Sequence, residues 1–263
     1  MNNKDLIKQY VDTGLQITDY QISKLNKNLL NTYLRKRLTP VNGFTKQLSN
    51  YEFDLTNYEQ KKQYILKVDF LKENQFMNLD DNLRQLYFDN KISNKLNLQN
   101  YEFDFLNDKQ KNLYFDIFLS GEKHIDLYQF DRIKNKDLRR AIINNRFMYV
   151  MNNIDYKYLD DYEFTSLTPD DRIKYALKKA TSKPVGGFFF ASHGIPESQF
   201  KLLPPEIKRK YAITVAKSVD GAYSYFYSDK FNLLTPEVKK EFLSLLKPLD
   251  RDNFRKNPEY IFP

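Results

Sequence analysis

The segment SQFKLLPPEIKRKYA, from Ser198 to Ala212, repeats the order of residue types in YEFTSLTPDDRIKYA, from Tyr162 to Ala176. In both, a Gln or Glu precedes a Phe, a Leu stands three residues after that Phe, a Pro five residues after it, and Tyr-Ala ends the segment. Self-similarity of this kind is typical of proteins built from stacked repeats.

When the chain is aligned on that Phe, the pattern occurs eight times. The anchors are Ile22, Phe53, Phe76, Phe103, Phe130, Phe164, Phe200 and Phe231. We number the copies 1 to 8 in this order. An apolar residue stands five positions before every anchor, and a Gln or Glu stands directly before it in seven copies, Lys230 being the exception. Tyr or Phe follows eleven positions after the anchor in seven copies, and one extra residue in copy 5 puts Ile142 there.

The residues before each anchor predict the start of a short helix. Thr18, Ser49, Asp126 and Asp160 stand four positions before their anchors and are suitable N-caps. The following Gln or Glu then falls at N3, where it completes a capping box, and the apolar residue and the anchor form a hydrophobic staple.

The residues after each anchor predict a second, longer helix. Its N-caps, four positions after the anchor, are Asn26, Asn57, Asp80, Asn107, Thr168 and Thr235. Pro169, Pro205 and Pro236 occupy the first helical position, which Pro favours.

A hairpin of two such helices cannot bury its apolar face alone, so neighbouring hairpins must stack. We therefore predict an all-α fold, an irregular α-solenoid of about eight helical hairpins in one domain, 1–263. In architecture the hairpin resembles HEAT-like repeats, because Pro opens the second helix and a basic residue lies inside it. Segments 181–196 and 217–230 are predicted inter-repeat loops, and 253–263 is a predicted extended tail.

The composition favours a folded, soluble chain. Hydrophobic residues make up 41% and aromatic residues 16%, which is ample for a core, and there is no Cys. Neither a signal peptide nor a membrane span is recognisable. The abundance of Asn, Lys, Tyr, Phe and Ile with only 7 Gly fits an A/T-rich gene. We expect a viral or phage protein in a virion or the host cytoplasm, or else a cytoplasmic protein of an A/T-rich cell.

No catalytic motif is recognisable. His124 and His193 lie in different copies without a metal-ligand spacing around them, and VGGF, residues 185–188, lacks the framework of a phosphate-binding loop. The paired acids at helix starts are explained by capping. We predict a protein that is not an enzyme and has no catalytic, metal or cofactor site.

One set of basic residues recurs eight positions after the anchor. It consists of Lys61, Arg84, Lys111, Arg172, Lys208 and Lys239, with Arg139 at the shifted position of copy 5. These cations could follow a phosphate backbone, but we favour ion pairs within each hairpin. The pairs predicted are Glu52 with Lys61, Glu102 with Lys111 and Glu163 with Arg172.

Other basic and aromatic residues are candidates for contact with a partner. They are Arg35, Lys36, Arg37, Arg140, Lys178, Lys179, Arg209, Lys210, Phe188, Phe189, Tyr225 and Tyr260. The leading hypothesis is a non-catalytic scaffold that binds proteins, either a virion component or a factor that binds a host protein. With a net charge of +8, the alternative is a repeat protein that binds DNA or RNA through the phosphate backbone.

Overall fold

The computed structural model describes residues 9–39, 45–154, 157–181, 194–218, 226 and 228–256. The short and long helices of copies 1 to 4 are α1 Asp19–Ser23 and α2 Lys27–Leu38, α3 Asn50–Asp54 and α4 Tyr58–Ile65, α5 Glu73–Met77 and α6 Asp81–Ser93, α7 Asn100–Phe103 and α8 Asp108–Asp116. Those of copies 5 to 8 are α9 Leu127–Phe130 and α10 Lys136–Asn152, α11 Asp161–Ser166 and α12 Pro169–Thr181, α13 Glu197–Lys201 and α14 Pro205–Ser218, α15 Ser228–Asn232 and α16 Pro236–Leu245. A 3₁₀ turn, Ile117–Ser120, follows α8, and α17 Pro248–Lys256 follows α16.

The predicted all-α class is confirmed, because the described ranges contain helices, turns and irregular links but no strand. None of the helices in these ranges combines the length and the apolar character that crossing a membrane requires.

The long helices begin at the predicted caps. The side chains of Asn26, Asn57, Asp80, Asn107, Thr168 and Thr235 each accept a hydrogen bond from the backbone N–H three residues later. These bonds satisfy N–H groups that have no partner inside the helix.

The N-cap hydrogen bonds of the short helices are less uniform than those of the long helices. Thr18 and Ser49 accept from the N3 backbone N–H as predicted. Asp126 accepts instead from the N–H of Tyr128, one position earlier. At Asp160 the backbone N–H donates to Glu163 Oε2 at 2.9 Å, which is the half of the capping box that the N3 glutamate supplies.

The core consists of the anchors, the apolar residues five before them and the aromatics eleven after them, all buried. In five copies the buried tyrosine also joins the two ends of the copy, because its hydroxyl accepts from the backbone N–H of the residue five before the anchor. The N–H to hydroxyl pairs are Ile17 with Tyr33, Leu48 with Tyr64, Leu98 with Tyr114, Leu159 with Tyr175 and Ile195 with Tyr211, at 3.0–3.3 Å.

The chain divides into two compact units, Met1–Ile117 and Phe118–Pro263. In the first unit, α2 contacts α4, α4 contacts α6 and α6 contacts α8, while α3 contacts α5 and α5 contacts α7. In the second unit, α12, α14 and α16 are in contact in the same order, as are α11, α13 and α15. The prediction of a single domain over 1–263 remains a prediction.

Two predicted boundaries differ from the structure. Both ends of the loop predicted at 217–230 are helical, because α14 continues to Ser218 and α15 begins at Ser228. The predicted tail overlaps α17, which continues to Lys256 and buries Phe254 against Phe231 and Phe242. Most of the loop predicted at 181–196 lies outside the described residues.

Candidate functional site

The residue directly before the anchor is buried in copies 2 to 8, so it is not available to a partner. These residues are Glu52, Gln75, Glu102, Gln129, Glu163, Gln199 and Lys230, each at most 3% exposed. Glu and Gln alternate from copy 1 to copy 7. We call the contact between one copy and the next a junction.

At junctions where the residue is Glu, the preceding copy supplies a buried base. Arg37 Nε lies 2.8 Å from Glu52 Oε1, and Tyr33 donates its hydroxyl proton to the same oxygen. Arg146 Nε likewise lies 3.2 Å from Glu163 Oε1.

The third Glu junction contains Lys91 in place of arginine. This lysine is fully buried, and burial lowers the pKa of its ammonium, while burial raises the pKa of the Glu102 carboxyl. The charge of each residue opposes the shift of the other, but Lys91 Nζ has no hydrogen-bond partner among the described residues and lies 5.1 Å from the centroid of the Tyr87 ring.

At three of the other junctions, the residue before the anchor donates a hydrogen bond to the backbone of the preceding copy. Gln75 Nε2 donates to the Leu48 carbonyl at 3.0 Å, Gln199 Nε2 to the Leu159 carbonyl at 2.8 Å, and Lys230 Nζ to the Ile195 carbonyl at 2.9 Å. An ionised Glu has no proton to donate.

At two Glu junctions a tyrosine fills this donor role. The hydroxyl of Tyr101 donates to the Leu71 carbonyl, and that of Tyr162 donates to the Ile125 carbonyl. In these two copies the Tyr of the sequence YEF therefore satisfies the carbonyl that Gln reaches at the Gln junctions.

The basic residues eight after the anchor do not form the ion pairs predicted with Glu52, Glu102 and Glu163. Each instead places its cationic group 4.9–6.0 Å from the centroid of an aromatic ring, and in every case the ring of its own anchor is among these. The prediction chose the wrong partner because Glu faces the preceding hairpin, whereas the cation lies over the Phe of its own hairpin. Copy 1 is consistent with a contact between the cation and the anchor ring, because it lacks both. Its anchor is Ile22, and Leu30 stands eight positions later.

Two open clefts lie between consecutive long helices. In the first unit, a cleft of about 540 Å³ between α2 and α4 is lined mainly by amide, hydroxyl and basic side chains, including Asn31, Arg35 and Lys67. In the second unit, a cleft of about 490 Å³ lies between α14 and α16.

The cleft between α14 and α16 combines charge with aliphatic surface. Its lining residues are Glu206, Ile207, Arg209, Lys210, Ile213, Thr214, Lys217 and Glu241. Arg209 joins the two helices through a bidentate pair with Glu241, both bonds measuring 2.7 Å. The exposed Lys210 and Lys217 lie on the same helix, seven residues and so about two turns apart.

The remaining predicted contact residues have different positions. Arg35 is exposed in the first cleft, and Lys36 and Arg140 are exposed on α2 and α10. Lys178 is exposed, and its Nζ donates to the Met151 carbonyl at 2.6 Å.

Two predicted contact residues are corrected by the structure. Arg37 is 4% exposed and binds Glu52 and the Gln47 carbonyl. Lys179 is 5% exposed and donates to the carbonyls of Ile154 and Lys157. Both were assigned to the surface because they follow surface bases in sequence, but neighbouring helix residues point about 100° apart. Phe188, Phe189, Tyr225 and Tyr260 lie outside the described residues.

Sequence reasoning missed one group of side chains. His124 lies against Asp160, and Glu163 completes a set whose ligand atoms all lie within 4.8 Å of one another. His124 is 36 residues from Asp160 in sequence, so no spacing motif marks the group. His193, the other histidine, lies outside the described residues.

Comparison with known proteins gives no relative: no protein-family description, no curated protein and no solved structure matches this chain.

Proposed function

We propose that this chain is a non-catalytic interaction scaffold in which both units are parts of an irregular α-solenoid, and that it binds a partner protein along the clefts between its long helices. The observation that carries the proposal is that the residues that recur from copy to copy and the residues that vary lie in different parts of the structure. The anchor and the apolar residue five before it are buried in every copy, and the residue directly before the anchor is buried in copies 2 to 8, whereas the clefts are lined mainly by residues that differ between copies.

The cleft between α14 and α16 supports a partner of mixed chemistry. Lys210 and Lys217 offer exposed ammonium groups, and Ile207 and Ile213 offer half-buried aliphatic side chains beside them. An acidic segment with aliphatic residues would find both kinds of contact in one place. Extended surfaces between stacked repeats are the usual binding sites of such arrays.

The test is affinity purification of partners from the source cell with matched variants. Lys210→Glu combined with Lys217→Glu reverses the exposed charges of the cleft without removing a core contact. Lys62→Glu, which changes an exposed lysine outside both clefts, is the control. We expect a specific protein to be retained by the wild type and the control and lost from the double variant. Equal recovery by all three proteins would contradict the proposed cleft.

Nucleic-acid binding is the second candidate, because the basic residues are unevenly distributed. The second unit contains 25 of the 42 Lys and Arg residues but 19 of the 34 acids, which gives it a formal net charge of +6 against +2 for the first unit. Binding of random-sequence DNA at low salt, with an affinity that falls steeply as salt increases, would favour this candidate over the protein scaffold. Undetectable binding at low salt would exclude it.

The proposal extends to a viral or phage origin, on the composition of the chain. Its 20 Tyr, 21 Phe and 7 Gly are the usage expected of an A/T-rich gene. A base composition of the coding sequence close to one half G and C would contradict this part of the proposal.

A further inference from the structure

The residues around Glu163 differ from those at the equivalent positions around Glu52 and Glu102, the other two junction glutamates. Four positions before the anchor, copies 2, 4 and 6 have Ser49, Gln99 and Asp160. Six positions before the anchor, the preceding copies have Gln16, Phe70 and His124. Only the junction of copies 5 and 6 therefore combines a histidine and an aspartate with the buried glutamate.

The structure brings these three groups together. The ligand atoms of His124, Asp160 and Glu163 lie within 4.8 Å of one another, so small side-chain rotations would bring all three to the ~2.0–2.2 Å that Zn²⁺ requires of N and O ligands. The side chains of His124 and Asp160 are 40% and 39% exposed, which leaves a path from solvent, while that of Glu163 is 2% exposed.

The segment that carries His124 is held in place from two sides. Gly121 has a φ of 73°, and a Cβ there would lie 2.2 Å from the Asn145 carbonyl oxygen, so glycine is needed for this close approach to α10. Arg146 Nη1 donates to the carbonyls of Gly121 and Glu122 at 3.2 and 3.1 Å. The His124 ring also packs on Tyr162, with 5.8 Å between ring centroids.

The local charge favours a cation. The carboxylates of Asp160 and Glu163 lie together here, and the guanidinium of Arg146 contacts Glu163 Oε1 at 3.2 Å. Glu163 also retains ligand capacity, because Oε1 accepts a hydrogen bond from Arg146 and Oε2 accepts one from the Asp160 N–H, and each carboxylate oxygen has a second lone pair.

We propose that His124, Asp160 and Glu163 bind a divalent transition-metal ion, with Zn²⁺ as the best match to one imidazole nitrogen and two carboxylates, and that the ion ties copy 5 to copy 6. Three protein ligands leave a fourth tetrahedral position for water. An ion that binds the folded chain stabilises it by linkage. This inference is independent of the proposed function.

The experiment is titration of the chelator-treated full chain with Zn²⁺ by isothermal calorimetry, together with thermal unfolding with and without the metal. His124→Phe installs the residue found at the same position of copy 3, and Asp160→Asn removes the charged ligand while keeping a good N-cap residue. His193→Phe is the matched control, because it removes the only other histidine.

We expect one Zn²⁺ per chain and a higher melting temperature for the wild type and the His193→Phe control. Because outer-shell partners alone change metal affinity about 10–100-fold, each ligand variant should bind at least about tenfold more weakly, and Zn²⁺ should no longer raise its melting temperature. Circular dichroism without metal should show both variants folded. Absence of saturable binding by the wild type, or equal binding by His124→Phe, would overturn the proposal, as would loss of binding in the His193→Phe control.

Discussion

A single hydroxyl group connects the beginning and the end of a copy. In five copies a buried tyrosine accepts from the N–H of the residue that precedes the short helix, although sixteen residues separate them. Burial raises the pKa of Tyr64 and Tyr175 to about 12, so these hydroxyls keep their protons at neutral pH. The Tyr33 hydroxyl accepts a hydrogen bond from the Ile17 N–H and also donates one to the Glu52 carboxylate.

Removing one such hydroxyl should destabilise the chain without changing the packing. Tyr211→Phe leaves the Ile195 N–H buried without its partner, which costs about 1–3 kcal/mol. Tyr211→Ala should cost more, about 3–5 kcal/mol, because the ring is lost as well. Urea denaturation measures both, with the half-exposed Tyr58→Phe as a control that should change the free energy of unfolding by less than about 0.5 kcal/mol. Equal values for Tyr211→Phe and the control would contradict the role given to the hydroxyl.

Lys230 stands at the position where the other copies have Gln or Glu. Burying its charge lowers the free energy of unfolding. Burial lowers its pKa from 10.5 to about 8. Between these two pH values the unfolded chain binds more protons than the folded chain, so the free energy of unfolding rises with pH across that window, and below pH 8 the penalty is constant.

Lys230→Gln should therefore stabilise the protein at pH 7. Glutamine can donate to the Ile195 carbonyl as Gln199 donates to that of Leu159, and the penalty of about 1–3 kcal/mol for the buried charge disappears. Urea denaturation from pH 7 to pH 10 should show the advantage of the variant shrinking above pH 8. A difference that stays constant with pH would mean that the charge of Lys230 is not the cause.

At the scale of the helices, two kinds of junction alternate. A Glu junction contains a base from the preceding long helix, whereas a Gln junction contains an apolar residue at that place, as Val68 precedes Gln75. Copy 7 departs from this pairing, because Lys179 precedes Gln199 and binds the backbone carbonyls of Ile154 and Lys157 instead. Buried ion pairs add little net stability, but a buried charge without its partner is costly. We infer that the pairs favour the observed order of the hairpins over others.

Exchanging one kind of junction for the other tests this inference. Arg37→Val alone leaves Glu52 buried without its base and should cost about 3–5 kcal/mol. Adding Glu52→Gln recreates the combination of Val68 and Gln75 and should recover most of that loss. Chemical denaturation of the two single variants and the double variant gives the coupling energy. Additive effects would show that the pair does not act as a unit.

At the scale of the whole molecule, stability should be distributed along the chain. Each described helix pair contacts mainly the pairs next to it in sequence, and the contacts fall into two compact units. In the α-solenoid proposed above, stability would be approximately a sum of repeat and nearest-neighbour contributions.

A core deletion in one copy should therefore act locally. Phe53→Ala should accelerate amide exchange most strongly in α1 to α6, on both sides of the altered copy, and much less in α13 to α16. Hydrogen exchange followed by mass spectrometry measures this distribution, and Phe231→Ala in copy 8 is the reciprocal variant. A uniform increase over both units would show that the chain unfolds as one cooperative body.

Much of the secondary structure was predictable because its signals are local. Caps, prolines and apolar spacing act within one or two turns, so the starts of the long helices and the buried face of each copy followed from residues such as Asn57, Phe53 and Tyr64. The surface was predicted less well. Arg37 and Lys179 read as exposed bases because their partners belong to other elements, beyond any local pattern.

The sequence alone thus determined where most of the helices begin and which apolar side chains form the buried face of each copy, because backbone capping and hydrophobic periodicity have fixed offsets. Only the tertiary structure decided which groups neutralise the buried charges. The base lies 15 residues before Glu52, 11 before Glu102 and 17 before Glu163, because links of different length separate the copies. The group of His124, Asp160 and Glu163 was hidden for the same reason, since stacking brings together residues whose separation along the chain follows no rule.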